Sequence, residues 1–419
     1  MIERRTYALT AAGLKVIVAG AGLGGLSAAI GLRRSGHRVV VLEQADALGT
    51  VGAGIQIAPN AARLLDRLGV IDHLRPTGVP AEAAIRRRWS DGSVIGEVTL
   101  GDQVLRQFGA SYWCALRSDV HAALVETATE QAGDGPPVEI VLGARVTGVS
   151  TSGPDRATVT IEGGREQSGD VVIGADGIRS PVRDSLFGAL PPTFSGRVTN
   201  RHLLDASRYE DDAELAELFS RPAQNIWIGP GGHVITHPIS SCTGIYMGVT
   251  TAGIPDDQAF WSAAVDKDTL LERFAAWDPR VVRLIAAAPP ATGYGLHDST
   301  PMDTWSTGRV ALLGDACHPM LPFQAQGAAQ AVEDGAVLAG VLDGVAPDDV
   351  SAALARYVSL RMPRASRVQA ASRANGALWH LDDGPAQVAR DAELASGAAD
   401  FTSYQWLWSS NPDGTPLEG

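Results

Sequence analysis

The chain has 419 residues, of which 45% are hydrophobic, and it carries a formal net charge of −13 at pH 7. This length leaves room for more than one packed domain, and the acidic balance argues against nucleic acid as a partner, because phosphate binding needs a basic surface. The three cysteines stand apart without CxxC spacing. We therefore expect no disulfide framework, no metal site and reduced thiols in a cytoplasmic protein. Residues 16–32 are apolar, but their glycines favour a strand, a turn and a helix, so we expect no membrane insertion.

The first fifty residues have the pattern of one βαβ unit. Residues 15–18 form an uninterrupted apolar run, which is typical of a strand buried on both faces of a parallel sheet. Apolar residues at helical spacing follow and end at Gly36. Residues 37–43 then predict a second strand with consecutive valines at its centre.

The turn between this first strand and its helix carries the pattern GxGxxG at Gly20, Gly22 and Gly25. The first glycine permits a tight turn, the second lets the backbone approach a pyrophosphate, and the third lets helix and strand pack closely. The start of the helix offers free N–H groups to phosphates, and Glu43 is placed to accept hydrogen bonds from a ribose. The pattern predicts dinucleotide binding but does not separate FAD from NAD.

The middle of the chain changes to short β-rich runs separated by Gly, Pro, Ser and Asp. Residues 86–98 predict a hairpin that turns at Asp91 and Gly92, and residues 225–240 predict two strands around a Gly-Pro-Gly-Gly turn. This pattern indicates an antiparallel sheet inserted, in two pieces, into the α/β domain.

Later segments return to the α/β pattern. Residues 170–177 and 309–316 each predict a strand that runs into a turn, residues 327–343 and 350–374 predict helices, and the last forty residues look irregular. The expected fold is therefore α/β: a Rossmann-like cofactor domain with an inserted, mostly antiparallel β-sheet substrate domain and C-terminal helices. The predicted limits are 14–74, 111–188 and 297–376 for the cofactor domain, 75–110 and 189–296 for the substrate domain, and 377–419 for a C-terminal segment.

Two later segments have more specific sequences than the glycine pattern. Residues 175–183 are ADGIRSPVR, and residues 314–335 are GDACHPMLPFQAQGAAQAVEDG. In this order, and together with residues 52–70 and 113–124, they resemble the class A FAD-dependent aromatic hydroxylases, the para-hydroxybenzoate hydroxylase superfamily. The branch that the chain resembles most contains the salicylate hydroxylases and the 6-hydroxynicotinate monooxygenases.

The resemblance implies that FAD occupies the glycine-rich turn. In this family the first of the two segments, here with Asp176, Gly177 and Arg183, supports the FAD pyrophosphate and takes part in the use of NAD(P)H. The arginine at the position of Arg117 reaches the cofactor.

The second segment implies contacts with the other end of FAD. By the resemblance, Asp315, which follows Gly314, holds the ribityl chain, and Pro322 lies beside the isoalloxazine ring. The helix that starts near Gly327 points at the flavin, where its N-terminus stabilises the negative charge of the reduced ring.

The resemblance also implies an activity, which is that of an FAD-dependent monooxygenase with NADH or NADPH as cosubstrate. In the family, NAD(P)H reduces the flavin, O2 forms a C4a-hydroperoxyflavin, and a phenolic ring attacks the distal oxygen. The implied substrate is a small phenolic aromatic compound. The sequence does not separate NADH from NADPH and does not indicate an oligomeric state.

Candidate catalytic residues follow from the need to deprotonate a phenol, for which histidine is suited. His233 and His237 are four residues apart on one predicted strand, so they share a face. Gln56 stands where the 6-hydroxynicotinate enzymes carry a histidine; glutamine is no base, but it can bind a carboxylate or carbonyl. The arginines at 86–88 could bind a carboxylate, although a run of charges is usually a solvated face.

Three alternatives remain open from the sequence. An FAD-dependent epoxidase or tailoring oxygenase of a larger polycyclic or indole-type metabolite would carry the same cofactor motifs. An NAD-dependent dehydrogenase would need only the first βαβ unit, and the two later segments argue against it. A flavin-binding protein without catalysis would bind FAD but would not oxidise NAD(P)H in response to substrate.

Overall fold

The computed structural model of the chain describes residues 13–49, 53–131, 135–151, 155–253, 262–264, 266–397 and 401–409. The last ten residues of the predicted C-terminal segment lie outside these ranges. The strands are β1 (Lys15–Ala19), β2 (Arg38–Leu42), β3 (Gly54–Ile57), β4 (Val79–Pro80), β5 (Ala83–Arg88), β6 (Val94–Thr99), β7 (Trp113–Leu116), β8 (Glu139–Val141), β9 (Val146–Ser150), β10 (Ala157–Ile161), β11 (Arg165–Gly169), β12 (Val171–Gly174), β13 (Thr193–Asp205), β14 (Ala223–Gly229), β15 (Gly232–Ile239), β16 (Gly244–Ala252), β17 (Ser262–Ala264), β18 (Thr292–Asp298), β19 (Ser306–Thr307) and β20 (Val310–Leu312). The helices are α1 (Leu23–Arg34), α2 (Pro59–Arg67), α3 (Val70–Leu74), α4 (Gly101–Phe108), α5 (Arg117–Thr129), α6 (Pro181–Phe187), α7 (Ala213–Leu218), α8 (Lys267–Phe274), α9 (Pro279–Ala287), α10 (Gly327–Leu342), α11 (Val350–Trp379), α12 (Pro385–Ala395) and α13 (Gln405–Trp408).

A six-stranded sheet in the order β19-β20-β12-β1-β2-β8 forms the core of the Rossmann-like part. All neighbours pair in parallel except β19 and β20, which are antiparallel. The predicted βαβ unit is confirmed, because β1 and β2 pair in parallel on either side of α1. The predicted strands at 170–177 and 309–316 correspond to β12 and β20, so the carboxyl ends of three neighbouring strands lead into the three predicted turns.

An eight-stranded sheet in the order β17-β18-β13-β16-β15-β14-β5-β6 forms the second layer. Its neighbours are antiparallel except β14 and β5, which are parallel. Both predicted hairpins are confirmed: β5 pairs with β6 and β14 pairs with β15. Together with the helices, the two sheets confirm the α/β fold class. Two small sheets, β11-β10-β9 and β3-β7-β4, complete the described strands.

The C-terminal part is more regular than the sequence indicates. The prediction that the last forty residues are irregular is wrong, because α12 packs against β6 and α13 packs against α2. The long helix α11 also continues past the predicted end at 374 to Trp379. The limits of the domains stay a prediction; β18 ends at Asp298, beyond the predicted limit at 296.

A buried ionic cluster joins α10 to α11. Arg361, which is fully buried, donates from Nη1 to Glu333 and from Nε to Asp334, both at 2.7 Å. Arg364 also donates to Glu333 at 2.7 Å, and Nε2 of His318 lies 2.6 Å from Asp334. Burial alone would raise the carboxyl pKa values, but these partners lower the pKa of Glu333 and lower that of Asp334 to about 2. The carboxylates therefore stay ionised inside the protein.

Among the described residues, no helix combines the length and the apolar character that crossing a bilayer requires.

Candidate active site

A cavity of about 440 Å³ lies between the turns at the carboxyl ends of β1, β12 and β20 and one face of the eight-stranded sheet. This edge of a parallel sheet is where open α/β folds bind ligands. The predicted site residues that line the cavity are Gly22, Gly25, Gln56, Arg117, Gly177, His233, His237, Gly314, Asp315, Pro322 and Gly327. The predicted residues that do not line it are Gly20, Glu43, Asp176 and Arg183.

The glycine-rich turn has the geometry that its sequence predicts. Gly20 has a φ of +107°, and a Cβ on Gly25 would lie 2.1 Å from the carbonyl oxygen of Gly20. A Cβ on Gly22, in contrast, would have no atom within 4 Å and would stand in the cavity. Gly22 caps α1 without a side-chain hydrogen bond, so the first N–H groups of the helix remain available to an anion. Glu43 stands behind the turn and accepts the N–H of Ala21 at 2.9 Å.

Asp176 and Arg183 brace the turn after β12 instead of lining the cavity. Asp176 accepts the N–H of Val182 at 3.0 Å. Nη1 of Arg183 donates to the carbonyl oxygens of Ile178 at 2.9 Å and Ala316 at 3.4 Å, so this buried side chain ties the turns after β12 and β20 together. Their contact with a cofactor stays a prediction, and the described contacts are structural.

The turn after β20 presents a carboxyl group to the cavity. Gly314 has a φ of +60°, and its N–H donates to Asp334 at 2.9 Å, which anchors the turn to α10. Asp315 and Arg117 both line the cavity. Burial raises the pKa of Asp315, although the charges of His318 and Arg117 act in the opposite direction. Burial lowers the pKa of Arg117, although the charge of Asp315 acts in the opposite direction. The pair suits neutral polar groups such as the hydroxyls of a ribityl chain.

The N-terminus of α10 opens into the same cavity. Gly327 and Ala328 line the cavity, and Gln326, the residue before the helix, makes no side-chain cap. The first N–H groups of this helix are therefore free to face a ligand and carry a partial positive charge. Pro322 lines the cavity beside them, in a 3₁₀ turn that packs against α11.

His233 is paired with a histidine that the sequence analysis did not identify. Nδ1 of His233 lies 2.8 Å from Nε2 of His380, and the two rings stack with centroids 5.1 Å apart. Burial, His380 and Arg197 together hold the pKa of His233 well below its usual value. Burial also lowers the pKa of His380 to about 3, although the carbonyl of Gly376 opposes this shift. Both rings are therefore neutral at pH 7.

His237 and Gln56 line other parts of the cavity wall. His237 has its Nδ1 3.1 Å from the carbonyl oxygen of Pro238 and lies beside Tyr246, and burial lowers its pKa to about 4. Gln56 accepts a hydrogen bond of 2.7 Å from the hydroxyl of Tyr112. Both predicted histidines therefore lie on the same face of β15. Of the two, His233 is the one that is hydrogen-bonded to another histidine, His380.

The C-terminal segment adds aromatic residues to the cavity that the sequence analysis did not assign. Trp379, Tyr404 and Trp408 line it together with Phe323 and Tyr112. The tryptophans that follow the last predicted helix, at 379, 406 and 408, were the sequence feature that could have indicated this aromatic wall. These rings give one part of an otherwise mixed polar and apolar cavity an aromatic wall, which is typical of a site for an aromatic ligand.

Cys317, His318 and Asp334 form the one cluster of possible metal ligands found among the described residues. Asp334 already accepts from Gly314, His318 and Arg361. The buried Cys317 thiol has a pKa well above its usual value, so it is not the thiolate that a metal requires. We interpret the cluster as part of the buried ionic cluster and propose no metal for it.

These features define an FAD-binding protein of the Rossmann type, with an open glycine turn, two free helix N-termini and a buried carboxyl group along one cavity. Residues 13–372 match the model of the FAD binding domain family, and the chain belongs to this family. The protein is similar to the 3-amino-4-hydroxybenzoate 2-monooxygenase PtmB3 of Streptomyces platensis, with 38% identity over 394 residues, 94% of this chain and 95% of that protein.

Solved structures agree. A salicylate hydroxylase substrate complex has a TM-score of 0.79, with 27% identity and 96% coverage of both chains. Klebsiella pneumoniae HpxO in complex with FAD and uric acid also has a TM-score of 0.79, with 29% identity over 92% of this chain and 94% of that one. The resemblance to the class A aromatic hydroxylases is therefore confirmed, and the chain is a flavin-dependent monooxygenase.

Replacing Gly22 by valine is expected to remove FAD without unfolding the protein. The backbone at Gly22 is extended and a side chain there meets no protein atom, but it occupies the space where the pyrophosphate approaches. We expect FAD affinity to fall by about 10- to 100-fold, the effect of about 1–3 kcal/mol of steric overlap. Flavin fluorescence titration of the apoprotein measures this. Gly340→Val, at an open position in α10 away from the cavity, is the control and should bind FAD normally.

Proposed function

We propose that the protein hydroxylates a small phenolic aromatic compound, with NADH or NADPH as the electron donor and O2 as the oxygen donor. The observation that carries the proposal is a cavity that places a neutral, paired histidine among aromatic side chains next to the predicted flavin site. The relatives support it, because one is a 3-amino-4-hydroxybenzoate 2-monooxygenase and another is a salicylate hydroxylase. A cytoplasmic location is part of the proposal, supported by three free cysteines.

FAD held in this cavity would supply the redox chemistry that links the nicotinamide to O2. Gly22, Gly25 and the N-terminus of α1 would hold the pyrophosphate, and Asp315 would hold the ribityl chain. The N-terminus of α10 would face the flavin ring and favour its reduced, negatively charged form. The aromatic side chains of the wall would shield the reacting ring from water.

His233 would accept the phenolic proton. In the hydrogen bond between the two neutral rings, the proposed proton lies on Nδ1 of His233 and Nε2 of His380 is the acceptor. His233 then donates through Nδ1 to His380 and keeps a lone pair on Nε2, the ring nitrogen available to the cavity. Removing the phenolic proton makes the ring electron-rich, as attack on an electrophilic oxygen requires. His237 and Gln56 would contact substrate from other parts of the cavity wall.

The proposal is tested by adding 3-amino-4-hydroxybenzoate, 3-hydroxybenzoate or salicylate to the FAD-loaded protein. Expected results are substrate-dependent oxidation of NADH or NADPH and a product that gains one oxygen atom from isotopically labelled O2. If the FAD-loaded protein oxidised NAD(P)H only with larger polycyclic or indole-type compounds, the result would contradict the small phenolic substrate and favour a tailoring oxygenase. A yellow protein that no aromatic compound stimulates would contradict the proposal.

His380 acts through His233, and its replacement is expected to change the pH profile. Burial is the largest cause of the lowered pKa of His233 and His380 adds to it, so in the His380→Asn variant that pKa rises part of the way towards its ordinary value. Because His233 works as a base in its neutral form, the acid limb of kcat/KM should move to higher pH. In the wild type this limb should lie below the ordinary histidine pKa of 6.5. If His380 had a purely structural role, its replacement would lower activity equally at all pH values. His202→Asn is the control: His202 is also buried, and any damage to the fold there should lower activity without moving the pH profile.

A further inference from the structure

The three consecutive arginines of β5 have three different environments. Arg87 donates to Asn225 at 2.9 Å and lies over the ring of Trp227, on the far side of the sheet from the cavity. Arg88 pairs with Asp383 at 2.9 Å and Asp391 at 3.2 Å. Arg86 lines the cavity and is only 6% exposed. The expectation of a solvated charged face therefore does not hold for Arg86.

The guanidinium of Arg86 is buried without an acidic partner. Nη2 donates to the hydroxyl of Tyr404 at 2.6 Å, and Nη1 is buried with no hydrogen-bond partner among the described residues. None of the ion pairs in the described part of the chain includes Arg86. A buried charge is costly unless it is paired, and a guanidinium matches the two oxygens of a carboxylate. An unpaired guanidinium nitrogen on a buried side chain that lines the cavity therefore indicates an anionic ligand.

Tyr404 fixes the direction of this guanidinium. Its ring stacks on Trp408 with centroids 4.6 Å apart and an angle of 12° between the planes. Arg63 of α2 donates to the carbonyl of Trp408 at 2.8 Å, and Arg364 of α11 donates to that of Leu407 at 2.7 Å. Two arginines from the body of the protein thus hold the C-terminal segment in place, and the segment holds Arg86.

Arg86 and His233 project from the same face of the eight-stranded sheet, two strands and two residues apart. Arg86 is opposite Ile226 of β14, and Ile226 is opposite Ile235 of β15, two residues from His233. Since paired residues share a face and neighbouring strands lie about 4.8 Å apart, the two strands are about 10 Å apart. One benzene ring fits between two side chains that reach inwards from such positions.

We propose that Arg86 binds the carboxylate of the substrate and that Tyr404 positions its guanidinium, so that the enzyme selects phenolic aromatic acids. The inference rests on the proposed function, because the phenol of the same ring would then face His233. Hydroxyl and carboxylate would be recognised at two separate positions on the same sheet face, and the ring between them would be held by Tyr112, Phe323 and Trp379.

The test compares an acid with its uncharged amide in the FAD-loaded protein without NAD(P)H. The probes are 3-amino-4-hydroxybenzoate and 3-amino-4-hydroxybenzamide, and their Kd values are measured from the change in flavin absorbance. We expect wild type to prefer the acid. Arg86→Gln should raise the Kd of the acid by about 10- to 100-fold and that of the amide by less than about threefold, because only the acid loses a charge-assisted pair.

Two further variants separate charge from position. Arg86→Lys keeps the charge but loses the planar fork, so its affinity for the acid should be intermediate. Tyr404→Phe removes the hydroxyl that holds Nη2 of Arg86. It should raise the Kd of the acid by about tenfold and leave the Kd of the amide unchanged. Arg88→Gln is the matched control, an arginine of the same strand that pairs outside the cavity, and should leave both Kd values unchanged.

The outcomes distinguish this inference from the proposed function. Equal binding of acid and amide by wild type, binding of neither, or an equal loss of both in Arg86→Gln would overturn the carboxylate site. An acid preference that vanishes in Arg86→Gln, without any NAD(P)H oxidation in wild type, would support the carboxylate site and contradict the monooxygenase reaction. FAD content and melting temperature of each variant show whether a loss reflects misfolding.

Discussion

Replacing His233 by glutamine is expected to slow hydroxylation of a bound phenolic acid by about 10²- to 10⁴-fold, the usual contribution of a positioned general base. Glutamine fills similar space but cannot take a proton, so the ring stays a neutral phenol. The buried position and the partner His380 hold the pKa of His233 below its usual value, which keeps the base free at pH 7. The rate of product formation in single turnover, with FAD content as the check on folding, measures the effect.

His237→Gln is the matched comparison for this prediction, since both histidines lie on β15 and line the cavity. His237 has no second histidine behind it and lies beside Tyr246, so we expect a smaller loss there. If His237→Gln abolished hydroxylation while His233→Gln retained it, the base would be His237 and the assignment made here would be wrong. Binding of substrate should survive in both variants, because Arg86 holds the carboxylate.

The cofactor half of the site could be predicted from sequence because its determinants are local. Gly20, Gly22 and Gly25 encode one turn within six residues, and the chain forms that turn between β1 and α1. The two later turns likewise follow the ends of β12 and β20. Parallel strands bring their carboxyl ends to one edge, so the order of the motifs was enough to place Gly177 and Gly314 along a common cavity.

The substrate half depends on contacts that no local pattern encodes. His233 meets His380 across 147 residues of chain, and Arg86 meets Tyr404 across 318. The sequence shows that 86–88 are arginines, but only the pairing of β5 with β14 and β6 decides which of them faces inwards. The C-terminal segment looked irregular because its packing partners, α2 and β6, are far away in the chain.

The buried ionic cluster connects these two halves, and its central residue should be the most sensitive to mutation for stability. Arg361→Leu is expected to lower the free energy of unfolding by about 3–5 kcal/mol, because Glu333 and Asp334 would keep their charges without their main cation. The turn at Gly314 and the C-terminal segment, held by Asp334 and by Arg364, should loosen together, so FAD should be released early in the transition.

Urea titrations followed by circular dichroism and flavin fluorescence measure this effect, with Arg356→Leu as the control. Arg356 is exposed on the same helix and makes no ion pair among the described residues, so its replacement should change stability by less than about 0.5 kcal/mol. The sign of the pH dependence gives a second check. Loss of Arg361 raises the pKa of both carboxyl groups, so these groups take up protons in the folded variant as the pH falls and the uncompensated charge disappears. The difference in free energy of unfolding between the variant and wild type should therefore become smaller from pH 7 to pH 5. A gap that stayed constant would mean that lost packing, and not uncompensated charge, causes the destabilisation.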